Sequence, residues 1–574
     1  MSANNNDIAN IFDEIADILD VQGANFFRIR AYRKAAQQLR SMSTNVGDYA
    51  KNGQDLSKLP AIGTNLASKI IEILESGRCS ALETLRKNAP PGLIELLHIP
   101  GLGPKRVNAL HHELGIHTPE QLLSAAKNGR VKSIAGMGEK IQTNIIHAVE
   151  SHMKHKPRVK LSSAAKYAEP LVTYLQHVNG VEHVVIAGSY RRYKETVGDI
   201  DILVTAPQET NVVQAFIEYE HVRDVLSMGP TRSSVILYSG LQVDLRVVPN
   251  ACYGAALYYF TGSRAHNIAL RTRAKKRGLK INEYGVYRGK QRIGGHTEES
   301  ILAAVDLPWI PPELRENNGE IEAAQQHKLP NLVSRNDIRG DLHAHTTATD
   351  GHHSLVEMAN AAKECGLEYL AITEHSKRLA LVHGLDEKRL AEQMEEIDKF
   401  NAEHQGIVLL KSIEVDILSN GELDLSDNIL AKLDLVIAAV HSNFHLSRNK
   451  QTERIMRAMD RPYFTILAHP TGRLLETREA YDVDMNRIIR HAKQRGCYLE
   501  LNAQPMRLDL GAIHCQMAKA EGVLVSINSD AHNIADFNNL QYGVGQARRG
   551  WLEKEDVLNS RSLPALLRSI GQVP

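Results

Sequence analysis

The sequence predicts a multidomain α+β protein, and three observations support this prediction. The chain has 574 residues, whereas single hydrophobic cores rarely grow beyond about 250–300 residues. Residues 1–150 show helix spacing interrupted by short glycine-containing turns, and β-type runs first appear within residues 160–250. From residue 337 onward, seven apolar strand-like runs alternate with helical segments, which is typical of an α/β barrel.

Composition is that of an ordinary globular protein. Hydrophobic residues make up 43% of the chain and charged residues 24%. No apolar run approaches the roughly 20 residues that a membrane-spanning helix needs, so we expect no membrane association. The five cysteines contain no Cys-x-x-Cys pair, and a reduced cytoplasmic protein is the simplest interpretation.

Charge is distributed unevenly between the two parts of the chain. Residues 1–335 contain 41 Lys+Arg against 33 Asp+Glu, and residues 336–574 contain 27 against 34. The excess of positive charge in the first part favours contact with a polyanion there. Ordinary variation between domains explains the same difference equally well.

Three segments of the first part share a glycine-turn pattern followed by a helix-forming run: LPAIGTNLASKI (59–70), IPGLGPKRVNAL (99–110) and IAGMGEKIQTNI (134–145). They resemble the helix-hairpin-helix motif, in which backbone N–H groups at a helix N-terminus face a DNA phosphate. The first copy has Ala61 where the pattern prefers glycine, and a purely structural helical repeat is the alternative. The residues expected to contact DNA are Gly63, Lys69, Gly101, Gly103, Lys105, Arg106, Gly136, Gly138 and Lys140.

Three aspartates in the middle of the chain form a candidate metal site. Asp199 and Asp201 are two apart on a predicted strand and share a face, and Asp244 lies on a later strand. Three such carboxylates can hold two hard cations about 3.5–4 Å apart, which suits Mg²⁺ or Mn²⁺ and phosphoryl transfer. Upstream, Gly188-Ser189 and two arginines supply donors for a triphosphate. The pattern therefore favours nucleotidyl transfer.

These motifs resemble those of the X-family DNA polymerases, the family of polymerase beta. The resemblance covers about residues 1–315 through FRIRAYRKAA, KLPAIGTNLASKI, GSYRRYKETVGDID, VDLR and YYFTGSRAHNIALR. It implies that Asp199, Asp201 and Asp244 hold the two catalytic metals, and that Asp244 helps to activate the primer 3′-hydroxyl. The nucleotide-binding residues implied by the resemblance are Gly188, Ser189, Arg192, Gly198, Tyr259, Phe260, Gly262, Asn267 and Arg271.

Within that set, the resemblance implies separate roles. Ser189 and Arg192 contact the triphosphate, whereas Tyr259, Phe260 and Gly262 border the incoming sugar. Asn267 and Arg271 lie near the minor groove of the nascent base pair.

The family's N-terminal domain can also cleave a 5′-deoxyribose phosphate through a lysine Schiff base, and Lys69 matches that lysine. Tyr32 and Lys34 match neighbouring residues, but Arg28, Asn65 and Ala81 stand where relatives carry supporting lysines. A simple phosphate contact by Lys69 is the alternative that these substitutions favour.

The seven runs after residue 337 nearly all end in a polar residue of metal-ligand type. The runs are DLHAHT, YLAITEH, VLLKSIEVDI, LVIAAVHS, FTILAHP, YLELNAQ and VLVSINSDAH. The candidate ligands are His343, His345, Asp350, His375, Glu414, His441, His469, Asp530 and His532. Mixed imidazole and carboxylate ligands suit two or three Mn²⁺, Zn²⁺ or Fe²⁺ ions, which support phosphoester hydrolysis.

Residues 337–574 resemble the polymerase and histidinol phosphatase (PHP) domain, whose nine ligand positions are all filled here. One departure is Glu374, where the motif more often has aspartate; we expect it outside the ligand set. The whole chain thus resembles the bacterial and archaeal X-family polymerases that carry a C-terminal PHP domain.

The resemblance implies six segments and a fold of helix-hairpin-helix domains, a nucleotidyltransferase palm and thumb, and a distorted seven-stranded (β/α) barrel. The segments are a lyase-like helical domain (1–90), a fingers-type helix-hairpin-helix domain (91–155), the palm (156–249), the thumb (250–315), a linker (316–336) and the PHP domain (337–574).

The expected function is template-directed filling of short gaps in DNA repair, with a metal-dependent 3′–5′ exonuclease in the PHP domain. We expect gapped or primer-template DNA and dNTPs as partners, and a monomer in the cytoplasm near the nucleoid. One alternative is a nucleotidyltransferase on a non-DNA substrate with a PHP phosphatase. Another is a polymerase whose PHP domain is mainly a scaffold or an abasic-site endonuclease.

Overall fold

The computed structural model describes residues 5–21, 24–42, 46–51, 54–76, 79–88, 96, 99, 102–134, 136–153, 158–207 and 210–571. The chain divides into two compact units, Met1–Pro157 and Arg158–Pro574. The multidomain α+β prediction is confirmed. Among the described helices, none is both long and apolar enough to cross a membrane.

The described part of the first unit is helical. Its helices are α1 (Asn5–Val21), α2 (Phe26–Ser41), α3 (Val46–Lys51), α4 (Thr64–Ser76), α5 (Ser80–Asn88), α6 (Pro104–Leu114), α7 (Pro119–Lys127) and α8 (Glu139–Met153). Helix α1 buries Ile8, Phe12, Ile15 and Leu19 at helical spacing. Buried apolar residues form one cluster within residues 8–82 and a separate one within residues 96–149.

The second unit begins with a five-stranded sheet, the palm. Its strands are β2 (His183–Ile186), β4 (Asp199–Thr205), β5 (Val222–Ser227), β6 (Arg232–Leu237) and β7 (Gln242–Val248), in the order β2-β4-β7-β6-β5. Two short strands, β1 (Val159–Lys160) and β3 (Thr196–Val197), pair beside it. The palm helices are α9 (Leu161–Gln176), α10 (Gly188–Arg191) and α11 (Val212–Ile217). Strands β4 and β7 run parallel, which places their side chains in matching register.

The thumb follows the palm and consists of short helices and a three-stranded sheet. Its elements are α12 (Tyr253–Thr261), α13 (Arg264–Lys276), β8 (Leu279–Asn282), β9 (Gly285–Arg288), β10 (Gln291–Gly294) and α14 (Glu298–Ala303). Arg315 is fully buried, and it and Arg191 both bind Glu298, at 2.5 and 2.7 Å. This buried carboxylate joins the palm to the thumb.

Within the segment expected to be a linker, residues 316–336, one helix packs in the thumb core, whereas Val333 packs in the barrel core. The segment contains α15 (Glu320–Gln325), and Ile321 and Ala324 belong to the thumb core. Glu320 is fully buried, accepts the backbone N–H groups of residues 317 and 318, and lies 2.5 Å from Nδ1 of His266. The Pro-rich, polar composition of this segment therefore gave no indication of its buried hydrogen-bond network.

The C-terminal region is a barrel of parallel strands. The strands are β11 (Gly340–Ala344), β12 (Tyr369–Ile372), β13 (Val408–Lys411), β14 (Glu414–Asp416), β15 (Ile437–Ala439), β16 (Ile466–Leu467), β17 (Tyr498–Asn502) and β18 (Val525–Asn528). All seven predicted runs form strands, and the third is divided at residues 412–413. The division separates a three-stranded sheet from a five-stranded one, and isolated bridges at Ala344–Ala531 and His375–Glu414 connect the two.

Helices surround the barrel, and alternate strand residues face two cores. The helices are α16 (Leu355–Glu364), α17 (Glu387–Glu403), α18 (Asp427–Leu430), α19 (Arg448–Met459), α20 (Met485–Arg495), α21 (Ala512–Glu521), α22 (Leu540–Arg549) and α23 (Leu563–Ser569). On β12, Tyr369 and Ala371 join the inner core, and Leu370 and Ile372 pack under the helices. Leu566 of α23 is also part of the inner core.

Candidate functional sites

The three glycine turns of the first unit each lead into a helix. Gly63, Gly103 and Gly138 immediately precede α4, α6 and α8. Ala61 and Gly136 occupy the same motif position and both have positive φ, 63° and 79°. This conformation explains the preference for glycine there, because alanine pays roughly 1–2 kcal/mol to adopt it.

The backbone at these turns is open to a ligand. Apart from the immediate chain neighbours, no heavy atom of the described residues lies within 4 Å of a Cβ built at Gly63, Gly103, Gly136 or Gly138. Gly101 lies outside the described residues, as do the side chains of Lys105 and Lys140. Arg106 is half-buried on the first turn of α6.

Lys69 has a neutral hydrogen-bond partner. On α4, its Nζ donates to Oδ1 of Asn65 at 2.5 Å, one of the positions where the family resemblance leads us to expect a lysine. Tyr32 is buried against Phe12, with ring centroids 5.5 Å apart, and burial raises the pKa of Tyr32.

The three palm aspartates lie at one edge of the parallel pair β4–β7. Asp201 is directly paired with Asp244 in the register, and Asp199 begins β4 on the same face. Burial, and then the charges of Asp199 and Asp244, raise the pKa of Asp201 to about 7. Bound cations would offset the repulsion between these carboxylates and favour their ionised forms. The three residues therefore fit a two-metal site.

Gly188 allows the aspartates and the triphosphate motif to approach closely. It has φ +61°, and a Cβ at this position would lie 2.4 Å from Oδ2 of Asp201. The N–H of Ala187 donates to the backbone oxygen of Asp201 at 2.7 Å. Ser189 follows on α10, half-buried. Gly198 precedes Asp199, and its Cβ position lies 3.5 Å from Nη1 of Arg158.

Arg192 is held in place from several sides. Its Nε donates to Glu316 at 2.9 Å, and its Nη1 donates to the backbone oxygen of Thr261 at 2.6 Å. Arg549 of the barrel contacts the same carboxylate at 3.1 Å and also donates to the Arg192 carbonyl at 2.9 Å. The guanidinium is therefore positioned before any ligand binds, with Nη2 outside these hydrogen bonds.

The thumb residues of the predicted nucleotide site gather at the turn between α12 and α13. Asn267 donates to the backbone oxygens of Tyr259 and Gly262, at 2.7 and 3.1 Å. A Cβ at Gly262 would lie 2.7 Å from Oδ1 of Asn267. Phe260 packs beneath the guanidinium of Arg246 from β7, 4.9 Å from the ring centroid. Arg271, one turn after Asn267, is exposed.

The nine predicted barrel ligands converge at the carboxyl ends of the strands. Three groups place their ligand atoms within 4.8 Å of one another: His345, Asp350, His375 and His532; His343, His345 and Asp530; and His375, Glu414 and His441. The ninth, His469, has its Nε2 2.9 Å from Glu414. His345 and His375 each belong to two groups, which is the arrangement expected of a cluster of adjacent ions.

Glu414 is the centre of this cluster. Its carboxylate lies 2.7 Å from His375 and 3.2 Å from His441. Although burial opposes it, the imidazoles of His441, His375 and His343 hold the pKa of Glu414 well below its usual range. The carboxylate is therefore ionised, as a metal ligand must be.

Several buried ring nitrogens in the cluster fit metal coordination. Within the described part of the chain, Nε2 of His343, Nδ1 of His345 and Nδ1 of His469 form no hydrogen bond. Burial, and then His532 and His375, lower the pKa of His345 to about 3, so this ring is neutral. Buried polar atoms are rarely left unpaired, and neutral imidazoles beside carboxylates are the donor set that Mn²⁺, Zn²⁺ or Fe²⁺ takes.

The sequence did not identify the residues that orient these ligands. Fully buried Glu500 lies 2.7 Å from Nδ1 of His343 and accepts the backbone N–H of His469 at 2.7 Å. Asp341, also buried, accepts N–H groups from His343 and Ser529. The acid in the middle of the YLELNAQ strand was the available signal for Glu500, because an acid on a buried strand requires a partner.

Backbone strain and one further buried acid are found beside the ligands. His469 and Asp530 have positive φ, 26° and 51°, and such strained residues concentrate at functional sites. Glu374 accepts N–H and hydroxyl hydrogen bonds from Thr346 at 2.9 and 2.5 Å. Glu374 belongs to none of the three ligand groups, in line with the expectation that it lies outside the ligand set.

The sequence matches family descriptions over most of its length. They are "Helix-hairpin-helix domain" (residues 3–79), "SAM-like Helix-hairpin-helix tandem" (93–150), "DNA polymerase beta palm" (157–235), "DNA polymerase beta thumb" (256–316) and "PHP domain" (341–504). The PHP match ends before Asp530 and His532, which the structure places with the other ligands.

Individual relatives agree with these matches. Rat DNA polymerase lambda is 26% identical over 333 residues, covering 53% of this chain and 54% of the relative. A probable phosphatase from Thermoanaerobacter sp. (strain X514) is 27% identical over 237 residues, covering 38% of this chain and 89% of the relative. DNA polymerase/3′-5′ exonuclease PolX of Bacillus subtilis (strain 168) is 38% identical over 562 residues, 97% of each chain. The chain therefore belongs to the X family of DNA polymerases, in the group that carries a C-terminal PHP domain.

Proposed function

We propose that this chain is a DNA-directed DNA polymerase that fills short gaps during DNA repair and also removes nucleotides from DNA 3′ ends. The observation that carries this proposal is the presence of two separate ligand sets in one chain: the aspartates of β4 and β7, and the nine residues of the barrel. The relative that matches 97% of this chain is named for both activities.

At the palm, Asp199, Asp201 and Asp244 would hold Mg²⁺ or Mn²⁺, which stabilises charge on the reacting phosphate. We assign to Asp244, which pairs with Asp201 in the register, the role of taking up the proton of the primer 3′-hydroxyl. Ser189 and the remaining amino group of Arg192 bind the triphosphate of a dNTP. The Tyr259–Gly262 turn, fixed by Asn267, forms the wall beside the incoming sugar.

At the barrel, the nine ligands would hold two or three Mn²⁺, Zn²⁺ or Fe²⁺ ions, which lower the pKa of water and polarise a phosphodiester. Glu500 and Asp341 orient the imidazoles, and Glu414 lies between the histidines. Hydrolysis of a 3′-terminal nucleotide is the activity that fits a domain attached to a polymerase. Phosphatase activity is the second candidate, because a relative matching 89% of its length to this chain is named a probable phosphatase.

DNA contact involves the first unit as well as the palm. We assign the DNA backbone to the three glycine turns, whose open glycines present helix N-termini to phosphates. Gapped or primer-template DNA and dNTPs are the substrates, and the protein acts as a monomer at the nucleoid.

The boundaries at about residues 90, 155, 249 and 315 separate the lyase-like, fingers-type, palm and thumb segments. Residues 316–336 connect the thumb to the barrel, because α15 packs in the thumb core and Val333 packs in the barrel core.

The experiment that tests this proposal uses a duplex with a labelled primer and a one-nucleotide gap. Purified protein is incubated with Mg²⁺ or Mn²⁺, with and without dNTPs. Extension with dNTPs and shortening without them are the expected results. Failure to extend the primer, with dNTPs and either ion present, refutes the polymerase assignment.

A further inference from the structure

A cleft lies between the palm and the barrel, outside both ligand sets. Its volume is about 470 Å³, within the range of roughly 300–1,000 Å³ that small-molecule sites occupy. We call it the seam cleft. The palm contributes Arg158, Lys194 and Thr196 to its lining, and the barrel contributes Gln546 and Arg549.

The walls of the seam cleft are fixed by contacts between the palm and the barrel. Gln546 donates to the backbone oxygen of Tyr193 at 2.7 Å. Glu195, also on the wall, binds Arg473 of the barrel at 2.7 Å. Gly545 lies against the Tyr193 ring so closely that a Cβ there would be 2.1 Å from it. The cleft is therefore a formed feature of the second unit.

Positive charge in and beside the seam cleft exceeds the negative charge that neutralises it. One carboxylate, Glu316, is shared by Arg192 at 2.9 Å, Arg549 at 3.1 Å and Lys194 at 3.9 Å. The charge of Glu195 is already matched by Arg473. Three cations around a single carboxylate leave a net positive site.

Among the residues that the structure describes, the contacts of Lys194 and Arg158 leave room for another acceptor. The side chain of Lys194 is 38% exposed, and Glu316 at 3.9 Å is beyond hydrogen-bond distance from its ammonium. Burial, and then the neighbouring Arg549, lower the pKa of Lys194. Arg158 donates to neutral oxygens of Thr196, at 3.0 and 2.6 Å. An anion among these groups would relieve the repulsion.

We propose that the seam cleft binds a phosphate group, with Arg158, Lys194 and Arg549 as its cationic ligands. Guanidinium and ammonium groups around a concave surface suit phosphate oxygens. The volume of about 470 Å³ exceeds that of one phosphate. The phosphate has two possible sources: a nucleotide of bound DNA, or a free phosphate compound.

The test uses full-length protein and the variants Arg158→Gln and Lys194→Gln. Lys160→Gln is the matched control, because Lys160 pairs with Glu476 of the barrel at 3.0 Å but does not line the cleft. Circular dichroism without ligand establishes that each variant is folded. All measurements contain a chelator, which suppresses binding and turnover that depend on metal.

The first measurement is the shift in thermal unfolding temperature caused by inorganic phosphate. The second is the salt dependence of binding to a gapped duplex, where each lost phosphate contact lowers the slope by about 0.9 for duplex or about 0.7 for single strand. A phosphate-induced rise that both cleft variants lose, and the control keeps, assigns the site to a free phosphate compound. A smaller salt slope in both cleft variants, with the control unchanged, assigns it to DNA. The proposal is overturned if both cleft variants match the control in both measurements.

Discussion

Replacing Gly188 with alanine tests whether nucleotide incorporation requires the close approach of the Gly188 turn to the carboxylate of Asp201. The new Cβ would lie 2.4 Å from Oδ2 of Asp201, whereas ordinary contact starts at 3.4 Å. The carboxylate or the turn must therefore move by about 1 Å. A displacement of that size at a reacting centre costs about 100-fold in rate.

Alanine at Gly188 also suffers backbone strain, which needs its own control. Gly289, in the turn between β9 and β10, has φ +60°, nearly the same as the +61° of Gly188, and a Cβ there meets nothing within 4 Å. Both alanine variants should lose roughly 1–2 kcal/mol of stability from the left-handed conformation. Any additional effect of Gly188→Ala then comes from its contact with Asp201.

The assay is single-turnover incorporation of one dNTP into a one-nucleotide gap, with 3′-end hydrolysis measured in parallel. We expect Gly188→Ala to reduce incorporation about 100-fold and to leave hydrolysis unchanged, and Gly289→Ala to retain both. If the two variants incorporate nucleotide at equal rates, the assignment of the Gly188–Asp201 contact to catalysis is wrong.

Three further predictions concern separate groups. In metal-free protein, Asp201→Asn should raise the free energy of unfolding at pH 8 by at most about 4 kcal/mol, because the pKa of Asp201 is raised from 3.8 to about 7 in the folded state. The cost of ionising Asp201 in the folded protein is absent below pH 4 and grows as pH rises to 7. Denaturant unfolding of both proteins at pH 4 and pH 8 measures this difference. Glu500→Gln should lower barrel metal affinity about 10–100-fold by releasing His343, measured by metal titration; unchanged affinity contradicts this. Borohydride trapping on abasic DNA should give no adduct at Lys69, since its ammonium binds Asn65; a trapped adduct there contradicts this.

Much of both sites could be predicted because strand periodicity fixes which side chains share a face. Asp199 and Asp201 lie two apart on β4, and the parallel register then places Asp244 beside Asp201. In the barrel, ligands such as His343 and Asp530 lie nearly 190 positions apart in the sequence. His343 lies near the carboxyl end of β11 and Asp530 follows β18, and the carboxyl ends of parallel strands meet at one end of a barrel.

The remaining features depend on contacts between distant segments that have no local pattern. Glu500 orients His343 across 157 positions, and Arg473 meets Glu195 across 278. The segment around α15 has the composition of a linker, yet Glu320 is buried. The pairing of its carboxylate with His266 offsets the cost of removing it from water. Hydrogen bonds between distant residues therefore bury a segment whose composition predicts exposure.

We expect two independent metal sites in this chain to perform opposite reactions on DNA. The most direct measurement compares Asp201→Ala and His343→Ala on the gapped duplex in Mn²⁺, with and without dNTPs. We expect Asp201→Ala to shorten the primer but not extend it, and His343→Ala to extend it but not shorten it. Loss of both reactions in either correctly folded variant, or normal shortening by His343→Ala, would contradict the claim.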